Sequence, residues 1–487
     1  MSDTALVWYR RDLRVHDLPA LHEACTGFAR VVPCYVLDPL LLQGRYRSAN
    51  RIAFMLAALA ELDEELRARG GGGLVVREGD PRAEVPRLAA QAGAAAVLWT
   101  SDVSPYAVRR DRAVMDALRA QGIEPRPQSG GYMADVSRPR TKDGRPFSVF
   151  SPFFRAWEGL PRRAVLPAPA VVPPLPDGLD RGTLPTAQDP LAEPIAVPGE
   201  RAARARLEAF LGAPLEAYDR RHDDLTGGTS VLSPYLRWGQ LSPREIEGRL
   251  EPLLAQVPKE SWPQTGPGAF RRQLAWRDFY AHVLLSFPGN IRHEFQPRFR
   301  ERLRWQASDE LFAAWAEGRT GYPLVDAGMR QLGRTGWMHN RARLVTGSFL
   351  TKDLHMDWRL GEEHFARWLY DGEPAQNNGN WQWIASTGVD PAPYFRRMFN
   401  PTTQARKFDP SGTYIREYVP ELRGVPDRWI HEPWRMPPEE QESARCVIGR
   451  DYPLPVVDHA AERKVAMERY REAGDELAAE AEAKTPQ

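Results

Sequence analysis

The sequence predicts an N-terminal α/β domain with a doubly wound parallel sheet, followed by a large all-α domain. Three observations lead to this fold class. The chain has 487 residues, and a single hydrophobic core rarely grows beyond about 300 residues. Short apolar runs alternate with helical patterns up to residue 130 or so. Beyond residue 200, amphipathic helical patterns predominate.

Four apolar runs predict the strands of the first domain, at residues 5–9, 31–37, 74–76 and 95–100. Between the second and third, residues 49–69 carry Phe54, Leu59 and Leu62 at helical spacing, which predicts a long helix. Strands that alternate with helices form parallel sheets. No GxGxxG follows the first strand, which argues against nucleotide-dependent oxidoreductase chemistry there.

A proline-rich stretch separates the two domains. Residues 161–198 contain ten prolines, including Pro173, Pro174 and Pro176, and such a stretch favours an extended connection over the surface. We therefore predict an α/β domain over 1–130, a linker over 131–200, a helical domain over 201–460, and a C-terminal helix and tail over 461–487.

Composition excludes several classes of protein. The net charge of +1 excludes a uniformly basic nucleic-acid binder, although the 65 Lys and Arg residues can still gather on one face. Only Cys25, Cys34 and Cys446 are present, too few for a disulfide framework or a four-cysteine metal site, so no metal is predicted. No apolar run reaches the ~18 residues of a membrane span, and we expect a cytoplasmic protein.

Twelve of the 15 tryptophans follow residue 200, so any aromatic stacking site should lie in the helical domain. A segment that contains Thr229, Ser230 and Ser233 places hydroxyls beside glycines just before a predicted helix. Helix N-termini bind phosphate groups. Spacing alone favours the simpler interpretation, in which Ser233 caps the helix ahead of Pro234.

Gln273, Trp276 and Tyr280 share one face of a predicted helix, with Arg277 close by. That face suits the stacking and hydrogen bonding of a base, and a buried amphipathic helix would give the same spacing. Residues 337–343 and 371–383 are dense in amides, charges and indoles. Such mixtures are costly to bury unless every group is paired, so both segments are predicted to line a site.

At these residues the sequence resembles the photolyase and cryptochrome family, especially the bacterial class I cyclobutane pyrimidine dimer photolyases. The resemblance runs from residue 7 to about Asp458 and is densest over 229–420, where the run 377–408, which includes Asn400-Pro401-Thr402-Thr403-Gln404, is highly specific. It implies a Rossmann-like α/β antenna domain, a long linker, and a helical domain that holds FAD in a U-shape below a DNA-facing cavity.

The resemblance also implies which residues bind the cofactor. Those expected around its phosphates are Tyr218, Thr229, Ser230, Val231, Leu232 and Ser233. Asp371 and Glu373 would contact its other polar groups, and Asn377 matches the residue that faces flavin N5. Arg343 and Asp371 match a salt-bridged pair beside the isoalloxazine, which would help to hold the negatively charged active form, FADH⁻.

Damaged DNA is the partner that the resemblance implies. A pyrimidine dimer stacks poorly and costs less to unstack than intact bases, so its extrusion from the duplex would be a source of selectivity. The implied DNA contacts are Gln273, Trp276, Arg277, Asn340, Arg341, Trp383 and Gln404. The implied catalytic set is Gln273, Trp276, Asn340 and Asn377. In light, one electron would pass from FADH⁻ to the dimer and return after the cyclobutane bonds break.

Three tryptophans, Trp305, Trp358 and Trp381, match the family's electron-transfer chain from the surface to the flavin. Without the resemblance, each would be interpreted as a core residue. The chain is expected to act as a monomer.

Two positions depart from the cyclobutane-dimer pattern. Gln273 replaces the usual glutamate and so carries no charge and no acidic proton, and Leu344 replaces the usual methionine. Gln273 is typical of 6-4 photolyases and animal cryptochromes, but 6-4 repair needs histidines that would fall at Asn340 and Leu344. Cyclobutane dimer repair is therefore the leading hypothesis, with a cryptochrome-type photoreceptor as the alternative.

A second, light-harvesting chromophore would be 8-hydroxy-5-deazaflavin, methenyltetrahydrofolate or a flavin. Folate-binding relatives carry a glutamate near the position of Ser104, which weakens the folate option. The sequence does not choose among the others.

Overall fold

The computed structural model describes residues 3–186, 190–390 and 393–483. Its first domain is built on five parallel strands in the order β3-β2-β1-β4-β5. The strands are β1 (Thr4–Tyr9), β2 (Arg30–Leu37), β3 (Val75–Glu78), β4 (Ala96–Thr100) and β5 (Glu124–Gln128). The order reverses between β1 and β4, the point at which parallel sheets open a crevice at the carboxyl ends of their strands.

Helices cover both faces of this sheet. They are α1 (Pro19–Gly27), α2 (Pro39–Leu42), α3 (Ala49–Ala68), α4 (Pro81–Gln91) and α5 (Pro105–Ala120). Side chains alternate along β1: Val7 and Tyr9 pack in the core shared with the helical domain, whereas Leu6 and Trp8 pack in the core under α4 and α5. The core is therefore continuous from the sheet into the second domain.

The second domain is helical throughout, which confirms the predicted fold class. Its helices are α7 (Glu200–Leu211), α8 (Ala213–Glu216), α9 (Tyr218–Arg221), α10 (Ser233–Trp238), α11 (Pro243–Leu254), α12 (Gly266–Ser286), α13 (Asp309–Ala316), α14 (Pro323–Thr335), α15 (Asn340–Ser348), α16 (Trp358–Trp368), α17 (Pro374–Ile384), α18 (Pro401–Phe408), α19 (Thr413–Tyr418), α20 (Pro438–Ser443) and α21 (His459–Ala483). Short 3₁₀ turns lie at Lys259–Gln264, Pro288–Ile291, Pro297–Phe299, Tyr394–Arg397, Pro420–Leu422 and Pro433–Arg435, and a π-helical turn at Phe349–Asp353.

The connection between the domains lies against both of them. One further helix, α6 (Phe150–Glu158), packs on α12, so the predicted linker is not extended throughout. Further on, the Val172 amide donates to the Arg69 carbonyl, and the Val76 amide of edge strand β3 donates to the Arg181 carbonyl. The linker thus covers an edge of the sheet that would otherwise present unpaired backbone groups.

A buried carboxylate ties this connection to the helical domain. Asp278 of α12 accepts hydrogen bonds from Trp157 Nε1 at 3.0 Å and from the Ala134 amide at 3.2 Å. Burial raises the pKa of Asp278 to about 6. A residue of α6 and a residue that precedes it are therefore both fixed to α12, the helix that carries Gln273 and Trp276.

Within the described residues, no helix is both long enough and apolar enough to cross a membrane.

Candidate functional site

Two glycines allow α12, α16 and α17 to approach closely around the candidate site. A Cβ at Gly379 would lie 2.1 Å from Tyr280 Cδ1, and one at Gly361 would lie 2.1 Å from Trp381 Cη2. Both distances are far below van der Waals contact, so only glycine fits at these crossings. They bring α17, with Asn377 and Trp381, against the helices that carry the other candidate residues.

Arg343 and Asp371 form the expected ion pair. Arg343 Nη2 lies 2.8 Å from Asp371 Oδ2, and Arg343 Nε donates to the Met338 carbonyl at 2.8 Å. The Asp371 side chain is 4% exposed, and its other oxygen, Oδ1, is buried without a partner in the protein. An unpaired buried carboxylate oxygen is costly, and a donor from a bound ligand would satisfy it.

The Asn377 side chain is oriented by the backbone of α16. Its Nδ2 donates to the Glu362 carbonyl at 2.8 Å, while the neighbouring Asn378 Nδ2 donates to Glu362 Oε1 at 3.1 Å. Burial raises the pKa of the Glu362 carboxyl to about 7. With its amide nitrogen engaged, Asn377 presents Oδ1 as a hydrogen-bond acceptor. Glu362 was not predicted from the sequence, because its contacts depend on how α16 packs on α17.

The loop predicted to embrace phosphates has a strained backbone. Val231 has φ 53°, and Gly228 has φ 81°, where a Cβ would lie 2.1 Å from the Arg221 carbonyl oxygen. A β-branched residue in the left-handed region is uncommon, and such strain clusters at ligand-binding loops. Arg206 Nε holds the loop by donating to the Ser230 carbonyl at 2.8 Å.

The capping interpretation of Ser233 is wrong. The residue that precedes α10 is Leu232, and no side chain caps this helix. Instead, Ser233 Oγ accepts a hydrogen bond from Trp337 Nε1 at 3.3 Å. The Ser233 hydroxyl contacts Trp337 rather than a backbone amide of α10, because the strained loop, and not a capping turn, leads into this helix.

A cavity of about 360 Å³ opens beside this loop, lined by residues that include Thr229, Val231, Trp337 and His339. His339 Nδ1 accepts from the Arg341 amide at 3.1 Å, which leaves the ring proton on Nε2. That Nε2 is buried without a partner, and burial lowers the pKa of His339 to about 4. His339 is thus a neutral hydrogen-bond donor at the cavity, a residue that spacing alone did not single out.

Among the predicted DNA contacts, Gln273 and Asn340 are exposed. Trp276 is half-buried, and Phe150 stacks on its ring with centroids 3.7 Å apart and planes 5° from parallel. Gln404 Oε1 is buried without a partner. Trp383 donates from Nε1 to Asp390 Oδ2 at 3.1 Å and lies 4.2 Å below the Arg397 guanidinium, so its ring is held in place.

Three charged candidates already have partners in the protein. Arg277 donates to the Gly131 carbonyl at 2.9 Å and stacks on Tyr132 at the domain interface, and its DNA contact stays a prediction. Arg341 pairs with Asp223, its Nε lying 3.2 Å from Oδ1.

The two carboxylate oxygens of Glu373 accept from Arg11 and from the Gln376 amide, each at 2.9 Å. Both oxygens of Glu373 therefore have partners in the protein, and its contact with the cofactor stays a prediction. Tyr218 is buried against Phe210 and Phe270.

The predicted electron-transfer tryptophans differ in burial. Trp305 is half-buried, whereas Trp358 and Trp381 are 0% and 2% exposed. Trp358 Nε1 donates to Glu294 Oε1 at 3.3 Å, and the Arg359 guanidinium lies 4.6 Å from its ring. This order, from a partly exposed indole to two buried ones, suits a path from the surface inward. The electron-transfer role itself stays a prediction.

Gly361→Ala is expected to destabilise the fold by about 1 to 3 kcal/mol, because the new methyl overlaps the Trp381 ring and forces α16 and α17 apart. Urea unfolding measures the change. Gly333→Ala is the matched control: Gly333 is also helical, and its added Cβ would meet nothing within 4 Å. Equal stability of the two variants would contradict the close approach of α16 and α17.

Comparison with known proteins identifies the family. Residues 5–174 match the family described as DNA photolyase, and residues 270–472 match the FAD binding domain of DNA photolyase. The chain belongs to the DNA photolyase family. A deoxyribodipyrimidine photo-lyase of Streptomyces griseus is 41% identical over 472 residues, covering 96% of this chain and 99% of the relative.

Solved photolyase-family structures share the whole architecture. A bacterial class III photolyase from Agrobacterium tumefaciens superposes with a TM-score of 0.90 at 34% identity, covering 98% of each chain. A cryptochrome from Synechocystis superposes with a TM-score of 0.86 at 30% identity, covering 96% of this chain and 98% of that one. This chain therefore shares its fold with both a photolyase and a cryptochrome.

The residues present fit FAD. Asp371 Oδ1 and His339 Nε2 are a buried acceptor and a buried donor without protein partners, and the strained 228–231 loop lies beside the cavity. A dinucleotide cofactor offers both donors and phosphate acceptors to such groups. Within the described part of this photolyase-family chain, no group of three His, Cys, Asp or Glu side chains could hold a metal ion.

Proposed function

We propose that this protein splits cyclobutane pyrimidine dimers in DNA in a light-dependent reaction that uses FAD. The observation that carries the proposal is the environment predicted for a reduced flavin, formed by Asn377 and the Arg343–Asp371 pair. Photo-lyase is also the name of the Streptomyces griseus relative. Reduced FAD supplies the electron that the bonds of the dimer need in order to break.

The Asn377 amide supports a reduced cofactor. A reduced flavin carries a proton at N5 and needs an acceptor there, and Asn377 has Oδ1 left for that purpose because its Nδ2 donates to Glu362. The Arg343 guanidinium supplies a positive charge within 2.8 Å of Asp371, which favours an anion in place of water beside the pair.

The exposed polar side chains support recognition of an extruded dinucleotide. Gln273 and Asn340 are both exposed amides, and each offers a donor and an acceptor to the edge of a base. The Trp276 ring is fixed by Phe150 at stacking distance, so it is preorganised to pack on a flat ligand. A dimer already unstacked by damage needs less energy to enter such a site.

The decisive experiment compares cyclobutane and 6-4 lesions as substrates. Purified, photoreduced protein with bound FAD is illuminated with blue light, and the products are separated by chromatography. We expect cyclobutane dimers to become monomeric pyrimidines in light and to persist in darkness, with 6-4 lesions unchanged. Equal product in light and darkness would refute the proposal, and so would repair of the 6-4 lesion alone.

Gln273→Glu is expected to repair cyclobutane dimers with an equal or higher quantum yield, because a carboxyl of the same shape at this exposed position supplies a negative charge when ionised and a hydrogen-bond proton when protonated. Quantum yield at fixed light intensity is the measurement. Gln256→Glu adds the same charge at another exposed glutamine and should leave the yield unchanged. A severe fall in Gln273→Glu alone would mean that the site holds the dimer differently.

A cryptochrome-type photoreceptor is the second candidate, favoured by Gln273 in place of glutamate. It predicts photoreduction of the flavin and light-dependent partner binding without loss of dimers. The lesion experiment separates the two functions, because only the repair enzyme turns over substrate.

A light-harvesting chromophore belongs to the proposal as 8-hydroxy-5-deazaflavin, methenyltetrahydrofolate or a flavin. The space left between Arg10, Arg11, Thr100 and Arg277 at the carboxyl ends of β1 and β4 is about 20 Å³, room for one water molecule. A chromophore in this crevice would therefore have to displace side chains. The absorption spectrum of the denatured protein identifies any second chromophore. The monomeric state and cytoplasmic location stay predictions.

A further inference from the structure

The loop 369–373 joins α16 to α17 and carries two of the buried carboxylates of the site. The side chains of Asp371 and Glu373 are 4% and 5% exposed, and they lie two residues apart. Asp371 has its cation, Arg343, within the helical domain. Glu373 has its cation in the other domain.

That cation is Arg11, two residues beyond β1. Its Nη2 donates to Glu373 Oε1 at 2.9 Å, and its Nη1 lies 3.3 Å from Asp102 Oδ2, just beyond β4. The other oxygen of Glu373 accepts from the Gln376 amide at 2.9 Å and caps the N-terminus of α17. One buried carboxylate thus connects the sheet to the first turn of the helix that carries Asn377.

The start of α3 holds the same loop from a second direction. Asn50 Nδ2 donates to the Trp368 carbonyl at 2.7 Å, and Arg51 Nη1 donates to the Leu369 carbonyl at 3.1 Å. A Cβ at Gly372 would lie only 2.6 Å from Arg51 Nη1. The loop is therefore closely packed against the α/β domain, and its position depends on that domain.

From these contacts we infer that Arg11 is a positioning residue for the flavin site. It acts through Glu373, whose cap on α17 sets the direction of that helix and hence the position of Asn377. Arg11 also neutralises the buried charge of Glu373, which lies two residues from the buried carboxylate of Asp371. Loss of Arg11 would leave Glu373 buried without its ion-pair partner, close to Asp371 and with only the more distant Arg237 as a cation, and the loop would move to relieve the repulsion. The inference rests on the proposed function only in taking FAD as the ligand.

The test compares Arg11→Met with Arg10→Met. Arg10 is the adjacent arginine and is at least as buried, with 9% of its side chain exposed against 19% for Arg11, but its ion pair with Asp111, at 2.6 Å, stays within the α/β domain. Apoprotein is titrated with FAD in the dark without DNA, and the flavin absorption band is recorded. We expect Arg11→Met to raise the dissociation constant about tenfold or more and to alter the band, and Arg10→Met to change the constant less than about threefold. Equal weakening by both variants would overturn the inference.

Arg11→Lys and Glu373→Gln keep the test decisive if Arg11→Met does not fold. Lysine keeps the charge but not the forked geometry, so Arg11→Lys should restore part of the affinity. Because the two residues act as one unit, Arg11→Lys combined with Glu373→Gln should weaken binding no more than the stronger single change. Additive losses would overturn the inference. Since no light or lesion is used, failure of dimer repair leaves this result standing.

Discussion

Asp371→Ala is expected to purify with almost no bound FAD. The change removes the partner of Arg343 and a buried carboxylate oxygen of the candidate site that is free to meet a ligand donor. Breaking a fully buried ion pair costs about 3 to 5 kcal/mol. The Arg343 side chain is 25% exposed, so we expect the lower figure of about 2 to 3 kcal/mol, which weakens FAD binding by roughly 30- to 150-fold.

The ratio of flavin to protein absorbance after purification gives the first reading, and titration of the apoprotein with FAD gives the affinity. Glu363→Ala is the control, because Glu363 forms its ion pairs with Arg45 and Arg367 at the surface, where such pairs contribute little. It should retain its FAD. A full complement of FAD in Asp371→Ala would contradict the assignment of this pair to the cofactor.

The sheet shows what periodicity can and cannot predict. Four of the five strands follow the apolar runs at 5–9, 31–37, 74–76 and 95–100, and the helix predicted over 49–69 is α3. β5 was missed because Pro125 and Pro127 lie in it. The Glu124 amide donates to the Ala95 carbonyl, so alternate nitrogens face away from β4, and the two prolines occupy those outward positions. Proline is tolerated in this way only on an edge strand, which sequence alone does not reveal.

The candidate site was predictable where its residues lie close together in sequence and unpredictable where they come from different domains. Arg343 and Asp371 were expected from long motifs, and they are paired. Arg11 and Glu373 lie 362 residues apart, and no periodicity connects them. Arg277 was predicted to contact DNA because it lies beside the face formed by Gln273 and Trp276, whereas its partners in the protein are backbone carbonyls at the domain interface. Charge indicates that a partner exists, and only the fold determines which one.

The Glu362 carboxyl should make stability depend on pH. Burial raises its pKa from 4.5 to about 7 in the folded protein, so the folded state holds the proton more tightly than the unfolded state. The stability this provides is complete below the unfolded pKa and is lost as pH rises towards the folded pKa. With 1.36 kcal/mol for each pKa unit, the loss between these limits is about 3 kcal/mol.

Glu362→Gln cannot titrate and should not show this loss, while its amide can still accept from Asn378 Nδ2. We therefore compare the unfolding free energy of the variant with that of the unaltered protein at each pH. The difference, variant minus unaltered protein, should increase by about 3 kcal/mol as the pH rises from about 4.5 to 7.5. Urea unfolding with FAD in constant excess measures it. Glu363→Gln, one residue away and ion-paired at the surface, should give a nearly constant difference. If the Glu362→Gln difference is also constant, Glu362 is ionised beside Asn378 throughout, and the packing of α16 on α17 must admit more water than the structure shows.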